Sequence, residues 1–206
     1  MNESLKNMEK NILNPKSTAT QDEILRAALS LFVRKGYLNT SLSDIAQAAK
    51  LSQTQEIYLY FSSKQELATE VYNTVLDSLS VSIDEIRRRY KKSAEQLHSL
   101  VDLLFKLAEE APDVLRFLFE VNADDFLPAD AKRYLQTPAV NKMLKMIQLG
   151  INSGEIKSIA PMLIYTYFFG IINTTLQMIL NGTLDKKSEL YQSQAWMAAW
   201  NTIAKK

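Results

Sequence analysis

The chain has 206 residues, of which 47% are hydrophobic and 23% charged, the balance of a folded globular protein. Its 24 Lys and Arg against 23 Asp and Glu give a formal charge of +1, so a nucleic acid would have to bind a local basic patch. The absence of Cys excludes disulfides and thiolate metal sites. A single His argues against a histidine metal cluster, and no cofactor is expected. Five Gly and five Pro are too few for an all-β sandwich, which leaves an all-α fold.

No targeting segment is visible. Residues 1–16 lack the apolar centre of a secretory signal. Residues 158–184 carry no charge, but their strongly apolar part, 161–172, is shorter than the roughly 20 residues of a membrane-spanning helix. We therefore expect a soluble, cytoplasmic protein without a membrane partner.

The first predicted elements are a polar, flexible arm over residues 1–17 and a helix that follows it. Thr20 and Glu23 have the spacing of a capping box at the start of this helix, and Gly36 provides a left-handed stop. A second helix is predicted over residues 41–49, where Ser41 serves as the cap. A short third helix should run from residue 52 or 53 to 59.

Long helices are predicted over the rest of the chain. Apolar residues three or four positions apart mark a fourth helix over 63–90, opened by a Ser63–Glu66 capping box. It ends in a basic cluster at residues 87–92. Further helices are expected near 94–110, 112–127, 130–152, 158–181 and 186–204. The chain should thus hold about nine helices, in two domains over residues 18–66 and 67–206.

Two short helices braced by longer ones form a helix-turn-helix unit, whose second short helix reads base edges in the major groove of DNA. Gln and Thr side chains suit base edges, which makes Gln53, Thr54 and Gln55 candidates for base contacts. The candidates for phosphate contacts are Thr40, Ser41, Tyr58, Tyr60 and Lys64.

The same segment resembles the N-terminal domain of the tetracycline-repressor (TetR) family over about residues 20–67. The matching motifs are Ile24-Leu25-x-Ala27-Ala28-x-x-Leu31-Phe32, Gly36-Tyr37-x-x-Thr40-Ser41, Ile45-Ala46-x-x-Ala49 with Ser52, and Tyr58-x-Tyr60-Phe61-x-Ser63-Lys64-x-x-Leu67. The resemblance implies a homodimeric transcription regulator, usually a repressor, that binds a palindromic double-stranded DNA operator. It also implies that a small molecule in the C-terminal domain releases the DNA. By position, it assigns Thr40, Tyr58 and Lys64 to phosphates and the residues after Ser52 to bases.

This sequence departs from the family pattern in the reading segment. The distance from Ser52 to Tyr58 is one residue longer than usual, which favours Gln53 as the helix cap. Lys50 replaces the usual turn Gly, at about 1 kcal/mol if that position is left-handed, and could place a cation near DNA. Glu56 adds a negative charge to the reading helix. Residues 1–64 carry eight Lys and Arg against six Asp and Glu, a modest charge for a DNA-binding head.

The interior of the larger domain is rich in aromatic and Met side chains, which indicates either a filled core or an apolar ligand pocket. The predicted pocket residues are Phe105, Phe117, Phe126, Met143, Ile147, Tyr167, Phe168, Asn173 and Gln177. The expected effector is a small hydrophobic or aromatic molecule. The acidic run over residues 109–130 is either a solvated face or a source of one inward carboxylate, which would favour a cationic effector.

The last two helices are the predicted dimer interface. The penultimate helix is apolar around most of its circumference, and aromatic anchors favour interfaces. The predicted interface residues are Gly170, Thr174, Trp196, Ala199, Trp200 and Ile203. Effector binding is expected to shift the fourth helix and so change the spacing of the two DNA-binding heads.

Two other functions compete with this interpretation. An enzyme would need a nucleophile–base set, a metal-ligand spacing or a glycine-rich phosphate loop, and none is visible. A helical protein-interaction module with a non-functional DNA-binding head remains an alternative, given the irregular third helix and the modest charge.

Overall fold

The computed structural model describes residues 19–184 and 188–206, and these are helical apart from turns and one isolated antiparallel bridge between Ile156 and Ala204. The α-helices are α1 (Ala19–Lys35), α2 (Leu42–Ala48), α3 (Lys64–Arg89), α4 (Ser93–Glu110), α5 (Pro112–Glu120), α6 (Pro138–Ser153), α7 (Pro161–Leu180) and α8 (Ser188–Ile203). The 3₁₀ helices are η1 (Thr54–Leu59), η2 (Ala123–Asp125) and η3 (Tyr134–Gln136). The all-α prediction is confirmed: the described residues hold eight α-helices and three short 3₁₀ helices, where about nine helices were predicted.

Several helix boundaries differ from their predictions. The predicted arm at residues 1–17 lies outside the described residues. Ala19 is already helical, so Thr20 lies inside α1 and is not its N-cap. The helix predicted over 112–127 ends at Glu120, because the Asn122 side chain accepts a hydrogen bond from the Asp124 amide and starts a separate turn. Gly36 ends α1 as predicted, with φ of 78°.

The structure divides into two compact units, and the first is larger than the predicted domain 18–66. It comprises the described residues up to Leu79 together with Arg116–Arg133. Aromatic packing explains the difference. The Phe117 ring lies 6.5 Å from that of Phe32, and the Phe126 ring lies 5.4 Å from that of Tyr37. The first compact unit thus extends beyond the predicted boundary at 66/67, because residues 116–133 complete the core around α1.

The second unit comprises Ser80–Leu115 and Tyr134–Lys206, where α4, α6, α7 and α8 pack against one another. Helices α4 and α6 approach closely at Gly150, and the Ser93 hydroxyl donates a 2.8 Å hydrogen bond to the Met146 carbonyl. Glu155 accepts hydrogen bonds from the Ser93 and Ala94 amides at the start of α4. Burial opposes ionisation of Glu155, but these bonds and one from a Ser hydroxyl outweigh it and lower its pKa.

Helix α7 is the one helix in the described part of the chain that is long and apolar enough to cross a membrane. Its mean hydropathy is 1.4 and 44% of its most apolar window is buried. The side chains of Ile164, Phe168 and Ile172 are completely buried within the second unit. The core helix of a folded protein can be equally long and apolar, and the buried side chains of α7 are those of a core helix.

Candidate nucleic-acid interface and ligand region

The turn after α2 has the hydrogen bonds of a Schellman motif with Lys50 at the left-handed position. The Leu51 amide donates to the Ala46 carbonyl at 2.9 Å, and the Lys50 amide donates to the Gln47 carbonyl at 3.2 Å. Lys50 has φ of 58°, the one positive φ among the described non-glycine residues, a conformation that costs about 1–2 kcal/mol for an L-residue. The turn therefore keeps the geometry that Gly would favour and exposes a cation there.

Helix η1 starts at Thr54, directly after its cap residue. Gln53 is its N-cap, as predicted, with extended φ and ψ of −142° and 145°. The Gln53 amide donates a 2.9 Å hydrogen bond to Oε1 of Glu56. The Glu56 carboxylate therefore caps η1, where a negative charge suits the helix dipole.

The outer surface of η1 is polar and aromatic. Ile57 is completely buried and fixes η1 to the first unit. Its exposed neighbours are Ser52, Gln53, Gln55, Tyr58 and Leu59, whereas Thr54 and Tyr60 are half-buried. Tyr58 and Leu59 are 57% and 78% exposed. Most of the predicted reading residues thus share one surface, and Leu59 joins it without having been predicted.

Thr40 is buried and Lys64 is half-buried, and both side chains form hydrogen bonds within the first unit, while their contact with phosphates stays a prediction. Thr40 is 1% exposed, and its hydroxyl donates to the Gly36 carbonyl at 2.8 Å. The Lys64 ammonium donates to the Tyr37 and Thr40 carbonyls, each at 3.0 Å. It also lies 4.3 Å from the centre of the Tyr37 ring. Both side chains hold the α1–α2 connection in place.

Ser41 is exposed and caps α2. Its hydroxyl accepts a 3.1 Å hydrogen bond from the Asp44 amide and donates a 2.8 Å bond to Oδ2 of Asp44. The Ser41 amide donates to the same carboxylate at 2.9 Å. The backbone and side-chain bonds from Ser41, with a bond from Lys35, lower the pKa of Asp44 from 3.8 to about 2. Ser41 thus forms the predicted cap, and an ionised carboxylate lies beside it.

A basic groove on the first unit includes two arginines that the sequence reasoning missed. It measures about 400 Å³, and its lining includes three basic residues, Arg26, Arg34 and Lys50, and one acidic residue, Glu23. Arg34 donates a 2.8 Å hydrogen bond to the Ser30 hydroxyl. The signal for these residues was their separation of eight positions, about two turns of α1.

The predicted pocket residues are divided among three environments. Phe117 and Phe126 belong to the core of the first unit, so they do not line a site inside the second. Tyr167 and Gln177 are exposed on α7, and Asn173 is half-buried there. The remaining four predicted residues are buried in the second unit: Phe105, Met143, Ile147 and Phe168.

Two tyrosines supply buried hydroxyls in the second unit that the prediction did not include. Burial raises the pKa of Tyr134 well above its ordinary value, and a hydrogen bond with Tyr165 adds to the rise. Burial also raises the pKa of Tyr165. These phenols stay neutral, and their hydroxyls are hydrogen-bonding groups near apolar side chains.

The acidic run at residues 109–130 supplies no inward carboxylate. Its seven carboxylates are exposed or half-buried: Glu109, Glu110, Asp113, Glu120, Asp124, Asp125 and Asp130. Asp124 forms a 2.7 Å ion pair with Arg133. The run is a solvated face, the first of the two alternatives, and it gives no support for a cationic effector.

The predicted interface residues lie partly on the wrong face of α8. Ala199 and Ile203 are completely buried, so they present no surface to a partner. Trp196 and Trp200 are half-buried and stack on each other with ring centres 5.4 Å apart. Gly170 and Thr174 on α7 are exposed, as a surface role requires.

Known proteins resemble this chain in both sequence and fold. Residues 24–71 match the family described as "Bacterial regulatory proteins, tetR family". The HTH-type transcriptional regulator YfiR of Bacillus subtilis is 30% identical over 171 residues, which cover 76% of this chain and 80% of that protein.

Two solved structures share the fold. A TetR family transcription regulator from Marinobacter aquaeolei superposes with a TM-score of 0.76 at 24% identity, covering 91% of this chain and 96% of that one. Bacillus subtilis FadR in complex with stearoyl-CoA superposes with a TM-score of 0.70 at 20% identity, covering 86% and 96%. The chain is thus a helix-turn-helix transcriptional regulator, not an enzyme, and it belongs to the tetR family of bacterial regulatory proteins.

Proposed function

We propose that the protein is a ligand-responsive repressor that binds a palindromic operator as a homodimer in the cytoplasm. The observation that carries the DNA-reading part is the exposed surface of η1, where Gln53, Gln55 and Tyr58 surround the buried anchor Ile57. Glutamine pairs well with adenine in the major groove, and the Tyr58 hydroxyl suits a phosphate. The exposed Lys50 and the groove of Arg26 and Arg34 add cations to the same unit.

Fluorescence anisotropy with the promoter DNA beside the protein's own gene tests this proposal. Tyr58→Phe should weaken binding to all sequences alike, whereas Gln55→Ala should alter the sequence preference by about 1–3 kcal/mol at one base pair. Gln136→Ala, an exposed glutamine of the second unit, is the matched control. Indifference of the operator to both variants would favour the protein-interaction module instead.

The homodimer is proposed to form through the outer faces of α7 and α8, which pack together in the second unit. Large apolar side chains are exposed on both helices: Leu163 (46%), Tyr167 (46%), Met178 (41%), Leu190 (62%) and Met197 (56%). Contiguous exposed apolar surface of this kind marks an association site, and a self-complementary patch suits a two-fold dimer. Gly170 and Thr174 lie on the same face of α7 and permit close approach.

Light scattering across a dilution series tests the dimer. A Cβ at Gly170 would meet no atom within 4 Å, so Gly170→Leu adds bulk only on the outer surface. We expect this variant to shift the protein towards monomer. Leu135→Lys, a change at another exposed leucine, should leave the dimer intact. A wild-type protein that stays monomeric at all concentrations would contradict the proposal.

The effector is proposed to be a small, mainly hydrophobic molecule bound inside the second unit. Phe105, Met143 and Phe168 supply apolar surface, and the Tyr134 and Tyr165 hydroxyls supply polar contacts. The similar FadR was solved in complex with stearoyl-CoA, a ligand with a long acyl chain, which supports an apolar effector. Helix α3 contributes residues to both units, so it is the proposed route by which the effector changes operator affinity.

Native mass spectrometry of the purified protein tests for a retained small molecule. Any molecule found is then added to the operator complex, and its release of DNA is measured by anisotropy. Tyr165→Phe should weaken the effect and Tyr90→Phe should not. An effector that binds without changing operator affinity would refute the switching mechanism.

A further inference from the structure

A groove that is separate from the proposed interior effector site lies on the surface of the second unit. It is a groove of about 350 Å³ where the end of α3, the start of α4 and the last half of α6 meet. Its lining residues are Arg87, Gln96, Lys145, Gln148, Leu149 and Asn152. Arg87, the first residue of the basic cluster at residues 87–92, lines this groove.

Two cations of the groove are incompletely neutralised. The Arg87 guanidinium lies 3.4 Å from Oδ1 of Asp84, a long contact, whereas Oδ2 of the same carboxylate binds Lys142 at 2.6 Å. Lys145 is exposed and has no carboxylate within 4.0 Å among the residues that the structure describes. Two positive groups in one concave surface attract an anion, and a guanidinium binds phosphate or carboxylate oxygens in pairs.

The amides of the groove add donors and one unpaired acceptor. Nε2 of Gln148 donates to Oδ1 of Asn152 at 2.8 Å, so the Asn152 amide nitrogen is left to donate. Gln96 is only 4% exposed, and its Nε2 donates to the Tyr90 carbonyl at 2.9 Å. Oε1 of Gln96 is buried and has no hydrogen-bond partner. Buried polar atoms are normally paired, so this oxygen is an acceptor that the protein's own described donors leave open, on a residue that lines the groove.

We propose that the groove binds a small organic phosphate or carboxylate that also carries a hydroxyl or N–H group. Arg87 and Lys145 hold the anionic group, the Asn152 amide donates to it, and the ligand's own donor satisfies Oε1 of Gln96. Leu149 provides apolar contact for the carbon skeleton. Such a ligand would connect α3 and α6 at a second regulatory site.

Isothermal titration calorimetry on the full-length protein tests this proposal at constant ionic strength. The probes are sn-glycerol 3-phosphate, inorganic phosphate, malate and succinate. We expect one saturable site per chain. sn-Glycerol 3-phosphate should bind more tightly than phosphate, and malate more tightly than succinate, because only the first probe of each pair carries an alcohol hydroxyl. Lys145→Gln and Arg87→Gln should each weaken binding by about tenfold or more.

Lys132→Gln removes the same charge from an exposed site in the first unit and should bind like the wild type. Gln96→Met, with its fold checked by circular dichroism, should remove the advantage of the probe with the alcohol hydroxyl within each pair, measured as the ratio of the two dissociation constants. Absence of saturable binding, or equal weakening by Lys132→Gln, would overturn the site. Retention of the hydroxyl advantage in folded Gln96→Met would overturn the role of Gln96.

Discussion

Substitution of Lys64 by Met distinguishes a structural role from a DNA-contacting one. The Lys64 ammonium donates two 3.0 Å hydrogen bonds to the carbonyls of Tyr37 and Thr40 and lies 4.3 Å from the Tyr37 ring. Hydrogen bonds from a charged donor contribute about 1.5–3 kcal/mol each, and a cation–π contact adds about 0.5–1 kcal/mol. Desolvation of the ammonium and up to about 2 kcal/mol of side-chain entropy oppose these terms. We expect Lys64→Met to lower the free energy of unfolding by about 2 kcal/mol.

Thermal unfolding followed by circular dichroism measures this loss, since 1 kcal/mol shifts the Tm of a chain of this size by about 2–4 °C. The expected decrease is thus about 4–8 °C. Lys132→Met removes an equal charge from an exposed site and is expected to keep the wild-type Tm. If Lys64→Met melts like the wild type and loses operator affinity at 20 °C, then Lys64 binds phosphate and the structural assignment is refuted.

Three further changes test other parts of the structure. Gly150→Ala would place a Cβ 2.5 Å from the Ser93 hydroxyl, and the overpacking cost of about 1–3 kcal/mol should exceed the gain of about 1 kcal/mol in helix propensity. Unfolding in urea measures the loss of stability. Gly170→Ala, which has open space at its Cβ, should show no loss. Lys50→Gly should raise the Tm by relieving about 1–2 kcal/mol of left-handed strain, whereas Lys50→Ala should not, and an equal Tm for both would contradict the strain. The pKa of Asp44 is lowered to about 2, so its carboxylate stabilises the fold above pH 4, and this contribution is lost as the pH falls from 4 to 2. The Tm difference between the wild type and Asp44→Asn should therefore narrow over that range. A constant Tm difference would contradict the role of this carboxylate.

Local patterns predicted the helices well because their signals lie within a few residues. The stripe Leu67, Val71 and Val75 is buried as its spacing requires, and Gly36 has the left-handed φ of a helix stop. The one-residue extension before Tyr58 correctly placed the cap at Gln53. These features depend on periodicity and backbone sterics, which are readable from a short window.

The failures concern contacts between residues far apart in sequence. Nothing near Lys64 indicates that its ammonium binds carbonyls 24 and 27 positions earlier. Likewise, the return of residues 116–133 to the first unit depends on how Phe117 and Phe126 meet the aromatic rings around α1. The inward orientation of Ala199 was equally hidden, because α8 carries apolar residues on both faces.

The 3₁₀ geometry of η1 sets the spacing at which its side chains would meet DNA. With three residues per turn, Gln55 and Tyr58 are one full turn apart and lie on the same side, whereas Ile57 lies on another. At about 2.0 Å per residue, they are separated by about 6 Å along the axis, close to two base-pair steps of about 3.4 Å. All six residues span about 12 Å, comparable to the width of the major groove. Because a 3₁₀ helix rises more per residue than an α-helix, the six residues of η1 are about as long as two turns of an α-helix.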